Sequence, residues 1–163
     1  MAELVDVKTI LKHIADSIKP IGFKKVGNRK WYRSNDETEQ LVLLARFRFE
    51  PKHRVYMLGN ILRFNRAEGY GFVGYHFSGS PEYLLPNPKE FMRALDQESD
   101  LPADERESII KNAFTDHLIP LLERTTTEAG VMSCFYETRN RAKFIICSGT
   151  MRTLHVTPDE LGW

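Results

Sequence analysis

Residues 38–49 read TEQLVLLARFRF, and the fold is decided by how that stretch alternates. Leu41, Leu43, Ala45, Phe47 and Phe49 share one parity; Gln40, Val42, Leu44, Arg46, Arg48 and Glu50 share the other. A period of two with β-branched and aromatic residues is the mark of a strand. The phenylalanines alternate away from Arg46 and Arg48, so Phe47 and Phe49 are expected to face the core. Upstream, Lys30-Trp31-Tyr32-Arg33 lies between turn residues and reads as a second strand, with Trp31 and Tyr32 on opposite sides. Downstream, Pro51 to Arg54 turn the chain into a partner strand over roughly residues 55–64. A further strand is expected over 70–77, where Gly71 and Gly74 suggest a bulge or a close backbone approach. Consecutive strands joined by short turns make an antiparallel meander.

Helices flank it. Val7, Ile10, Leu11, Ile14 and Ile18 recur at helical spacing behind Asp6, a natural N-cap, and Pro20 and Gly22 end the run. Asn87-Pro88-Lys89-Glu90 resembles a capping box opening a short helix that ends near Gln97. A third helix is expected from about Pro102. Its buried stripe is Ile109, Ile110, Ala113, Phe114, His117, Leu118, Leu121 and Leu122; Pro120 kinks or breaks it and Gly130 ends it. Phe144 to Cys147 and Leu154 to Val156 read as further strands or irregular chain. The sequence thus reads as one α+β domain over residues 1–163. It has an antiparallel β-sheet meander, an N-terminal amphipathic helix and C-terminal helices packed on one face.

At 163 residues, with 42% hydrophobic and 28% charged residues, the composition is that of a globular chain large enough for its own core. The longest apolar run, Leu41 to Ala45, falls far short of the roughly 18–20 residues of a membrane span. The acidic start lacks the basic and apolar segments of a signal peptide. Cys134 and Cys147 are too few for a disulfide framework and read as reduced core thiols of a cytoplasmic protein.

The net charge of +1 conceals an asymmetry: residues 1–66 carry +7 and residues 67–163 carry −6. The basic charge gathers at Lys24, Lys25, Arg29, Lys30 and Arg33, and again at Arg46, Arg48, Lys52 and Arg54. The acidic charge gathers at Asp96, Glu98, Asp100, Asp104, Glu105 and Glu107, with only Arg106 inside that run. Such blocks point to charged partners, unless they are merely solvated or face each other within the fold.

Chemistry is hard to find. His13, His53, His76, His117 and His155 stand in no metal-binding or catalytic spacing. His76 is the one histidine in a glycine-rich strand that suggests a pocket. No nucleophile elbow or phosphate loop is present, so no catalytic residue, metal or cofactor is expected. An RNA-stacking sheet would put aromatics and basic side chains on the same face, which the alternation at 46–49 opposes. Nucleic acid survives as an alternative through Lys24, Lys25, Arg29, Lys30 and Arg33. Binding of a protein through the acidic run fits better, with Tyr70, Tyr75, Tyr83 and Trp163 as candidate anchors where exposed.

One stretch carries a resemblance. Residues 14–32, IADSIKPIGFKKVGNRKWY, resemble the bacterial family filed as domain of unknown function 4304. The matching residues are Ile18, Lys19, Pro20, Gly22, Phe23, Lys24, Lys25, Trp31 and Tyr32. The following stretch, Leu41 to Arg46, differs in lacking the glutamine of the family's V-x-L-Q-K-like strand. The resemblance implies a helix, then an aromatic strand, then C-terminal helices, and no agreed activity. By size and style it is similar to the small immunity proteins that bacteria encode beside toxins. The function expected is therefore that of a non-enzymatic cytoplasmic binding protein, an immunity protein occluding a toxin in its most specific form.

Overall fold

The computed structural model describes residues 4–46, 52–63, 75–138 and 144–146. Helix α1 (Val7–Ile18) starts where Asp6 Oδ1 accepts the Lys8 backbone N–H at 2.9 Å. It buries Ile10, Ile14 and Ile18, each worth about 1.5–3 kcal/mol of transfer energy. A 3-10 turn (Lys19–Ile21) stops it at Gly22, whose φ of +97° is left-handed backbone that a side chain would strain.

Among the described residues, six antiparallel strands follow in sequence order: β1 (Lys24–Gly27), β2 (Lys30–Ser34), β3 (Thr38–Arg46), β4 (His53–Ile61), β5 (Phe77–Gly79) and β6 (Phe144–Ile146). The meander is therefore as expected, with β3 and β4 paired over their full length from Thr38↔Ile61 to Arg46↔His53. Strand β1 was not foreseen, because all four of its residues are exposed and it shows no alternation. Of the strand expected over 70–77, residues 70–74 lie outside the described residues, as do Cys147 and 154–156.

Helices cover the parity of Trp31, Val42, Leu44, Val55 and Met57, which pack with Ile10, Ile14, Phe91, Ile110 and Phe114. The opposite parity of Leu41, Leu43 and Ala45 is only half-buried. Phe47 and Phe49, expected to face the core, lie outside the described residues. Alternation could not choose between the faces because residues 41–45 are apolar on both. The choice falls to the helices, and they sit where Gln40 finds hydrogen-bond partners.

The helical layer comprises α2 (Pro81–Leu84), α3 (Pro88–Ala94), α4 (Ala103–Ala113), α5 (Ile119–Arg124) and α6 (Glu128–Thr138). Helix α3 ends before Gln97. Its N-cap Asn87 makes no capping bond and instead donates Nδ2 to Glu90 Oε2 at 3.3 Å. Between α4 and α5 a π-turn spans Phe114–Leu118, with the Ile119 N–H reaching back five residues to the Phe114 carbonyl. Pro120 is the cause: it has no N–H for the Asp116 carbonyl and its ring crowds that group, so the helix widens before it. The buried stripe is accordingly Ile110, Phe114, Leu118 and Leu122, with Phe114 edge-on to Phe91 at 6.4 Å. His117, expected on that stripe, is turned out to solvent by the widened turn. Gly130 does not end the helix either. It lies in the first turn of α6, which packs Val131, Cys134 and Phe135 on Ile61 and Phe77 as a second, smaller core.

A buried histidine joins α1 to the helical layer. His13 is 6% exposed, and Lys12, Asp16, Glu107 and Lys111 surround it. Burial, ahead of the charges, holds its pKa below the usual 6.5. The unfolded chain therefore takes up a proton below pH 6.5 that the folded chain resists, so His13 subtracts stability as pH falls through that window. Urea unfolding at pH 7.5 and 5.5 is expected to show a larger acid loss for the wild type than for His13→Leu. Equal losses would rule His13 out as a contributor.

Candidate functional site

The acidic run is built around its single arginine. Arg106 is 1% exposed, and its guanidinium donates to the Ala94 carbonyl (2.6 Å), the Asp96 carbonyl (2.9 Å), the Ser99 carbonyl (3.1 Å) and Ser99 Oγ (2.8 Å). These carbonyls are the C-terminal end of α3 and the connection that follows, where a cation is favoured. The connection is fastened from the other side too, since the Val5 N–H donates to the Gln97 carbonyl and Gln97 Nε2 to the Val5 carbonyl. With its backbone wrapped inward on Arg106, the segment presents its carboxylates outward.

Glu98, Asp100, Asp104 and Glu105 are exposed; Asp96 and Glu107 are half-buried. Asp96 Oδ1 accepts the Glu98 N–H at 3.0 Å. Two members are already neutralised: Asp100 pairs with Arg93 at 2.5 Å and Glu107 with Lys111 one helical turn on. Both pairings hold the carboxyl pKa below its usual range, the hydrogen bond to the cation being the larger cause in each. The acidic surface is thus narrower than the sequence suggests, and rests on Glu98, Asp104 and Glu105.

Glu105 also lines a groove of about 420 Å³ between α3 and α4. Leu85, Phe91, Ile109 and Ala113 form its buried or half-buried floor, and Asn87, Glu90, Glu105, Ser108, Asn112, Asp116 and His117 its exposed rim. Among the described residues no Lys or Arg lies in the lining, and the rim they form carries three carboxylates against one imidazole. A second hollow of about 280 Å³ shares Asp116 and His117 and continues past Pro120 and Leu121 to the Arg124–Glu137 ion pair (2.6 Å). The π-turn lies between the two hollows and supplies both shared side chains. Apart from Glu105, sequence reading assigned none of these residues to a site. The available signal was Pro120 inside an otherwise helical run, since the widened turn it enforces is what projects Asp116 and His117.

The basic block is divided. Lys24, Lys25 and Lys30 are exposed on the β1–β2 hairpin and Arg29 is half-buried. Arg33 is not a surface residue: it is 8% exposed and bonded on every side. Its guanidinium donates to Gln40 Oε1 twice (2.9 and 2.7 Å), the Ile21 carbonyl (2.7 Å), the Leu122 carbonyl (3.1 Å) and Glu123 Oε1 (2.6 Å). It also lies over the Phe23 ring, 4.8 Å from the centroid. Strand parity explains the error, because Arg33 follows Trp31 onto the helix-covered face. Gln40 completes the network by donating Nε2 to the Leu122 carbonyl (2.7 Å) and Thr125 Oγ1 (2.8 Å), so the pair caps the C-terminus of α5 from the sheet.

His76 is buried, its Nδ1 accepting the Ile61 N–H at 2.8 Å, and it lines neither hollow. Cys134 is buried in the second core, which pushes its thiol pKa up, away from nucleophilic thiolate. Among the described residues, no three His, Cys, Asp or Glu side chains are placed to hold a metal ion. No described helix is long and apolar enough to cross a membrane. Of the candidate anchors, Tyr83 is exposed and Tyr75 half-buried, while Tyr70 and Trp163 lie outside the described residues. No family model, curated protein or solved structure matches the chain.

Proposed function

We propose that this protein binds another protein and makes no bonds of its own, meeting a basic partner with the acidic face of its helical layer, as an immunity protein meets a toxin. The observation that carries the reading is that Glu98, Asp104 and Glu105 stand exposed on a segment pinned from within by Arg106. A charged rim on a rigid support loses little order on binding and steers an oppositely charged partner. The resemblance of residues 14–32 to a bacterial family without agreed activity is compatible with this and adds the immunity analogy. Cytoplasmic location is part of the same proposal.

Selection of displayed random peptides on the immobilised chain tests it. Basic sequences are expected to be enriched, and the double reversal Asp104→Lys, Glu105→Lys is expected to weaken their binding at least about tenfold at low salt. Recovery of acidic or uncharged sequences, or indifference to the double reversal, would overturn it. So would salt-sensitive binding of a single-stranded oligonucleotide that Lys24→Glu, Lys25→Glu abolishes, which would move the function to the β1–β2 hairpin.

A further inference from the structure

The groove has a floor and a rim of different chemistry, arranged along one face of α4. Glu105, Ser108, Ile109, Asn112, Ala113 and Asp116 follow one another at spacings of three, one, three, one and three residues, the interval that keeps side chains on one side of a helix. The acids stand at the two ends of that row and the apolar pair between them. Eleven residues at ~1.5 Å each put Glu105 and Asp116 about 16 Å apart along the axis, or three helical turns. Glu90 stands on the opposite wall, from α3, its carboxylate accepting Asn87 Nδ2. The volume of about 420 Å³ admits a few side chains and not a folded element.

We infer that this groove seats a protein segment in which an apolar side chain is bracketed by Lys or Arg residues about three helical turns apart. The inference rests on the protein-binding reading above and names what the partner must present. Charge complementarity selects the occupant: among the described residues, three carboxylates and no Lys or Arg line the groove, so an acidic segment, a nucleic acid or a phosphate is repelled. The floor selects further. Leu85, Phe91, Ile109 and Ala113 offer an apolar seat that a bare polyamine leaves unfilled, whereas a leucine or phenylalanine between two cations covers it. The cations then meet Glu105 and Asp116 at the ends, with Glu90 facing them across the groove.

Fluorescence anisotropy tests this with a labelled amphipathic peptide about three turns long, lysine at both ends and leucine between. Ser108 and Asn112 are exposed rim residues, so Ser108→Trp and Asn112→Trp plug the groove without opening the core. Each is expected to lower affinity at least about tenfold, as is replacing the peptide's leucines by serine. If one plug fails to fold, the other supplies the result. Unchanged binding to the plugged variants, equal binding of the serine peptide, or equal competition by spermidine would overturn the assignment. The variant Glu98→Lys, Asp104→Lys changes acids outside the groove and separates the two claims. If it abolishes binding while the plugs do not, the groove falls and the acidic face stands. If none of the variants alters binding, both fall.

Discussion

Replacing Arg33 by methionine is expected to lower the free energy of unfolding by about 3 kcal/mol, seen as a fall of about 1–2 M in the urea midpoint. Methionine fills much of the same volume, so the loss is polar rather than a cavity. It leaves the Ile21 carbonyl and Gln40 Oε1 without a donor that each now has, in a site where Arg33 is 8% exposed and Gln40 1%. Glu123 is the contrast. Its side chain is 51% exposed, so solvent screens the pair and takes over when it is broken. Glu123→Gln is therefore expected to cost under about 1 kcal/mol. Equal losses for the two variants would show that the ion pair, and not the buried hydrogen bonds to sheet and helix, holds α5 against β2 and β3.

Gly130→Ala is expected to destabilise by about 3 kcal/mol or more, the upper end of the overpacking range. A Cβ there would stand 1.7 Å from the Arg124 carbonyl oxygen and 2.9 Å from its carbon. Neither is a side chain that can swing aside; both belong to the last residue of α5. Relief requires α5 and α6 to part, and α6 carries Val131, Cys134 and Phe135 onto the β4–β5 part of the sheet. Gly27→Ala is the control, because the nearest atom to its added methyl is Lys30 Cβ at 3.8 Å, an ordinary contact. Thermal unfolding of the two variants should differ by many degrees. A Gly130→Ala midpoint within a degree or two of the control would mean that the α5–α6 junction yields freely.

What could be read from the sequence divides along physical lines. Helix α1 was legible because its period, its cap and its stop all agree: Asp6, the Ile10–Ile14–Ile18 stripe and Gly22. The β2–β3–β4 meander was legible from alternation and turn residues. The choice of sheet face was not, since Leu41 and Leu43 are as apolar as Val42 and Leu44, and it depends on helices far along the chain. Arg33 and Arg106 were counted among the charges and turned out to be internal fasteners. Charge alone cannot tell a solvated guanidinium from one surrounded by carbonyls that sit up to 89 residues away in sequence. Of the candidate site, Glu105 was legible as part of a run. Glu90, Asn112, Asp116 and His117 were not, because the α3–α4 packing and the widening before Pro120 bring them together.

That widening behaves like an inserted residue absorbed in place. Take out one amino acid between Phe114 and Leu118 and the turn would tighten to an ordinary α-turn, with the helix on either side kept in register. Leu122 would stay in the core, and the carbonyl that Arg33 and Gln40 hold would keep its place. The slack runs one way only: a second added residue would swing everything beyond it by about 100° around the helix axis and turn Leu122 away from both partners.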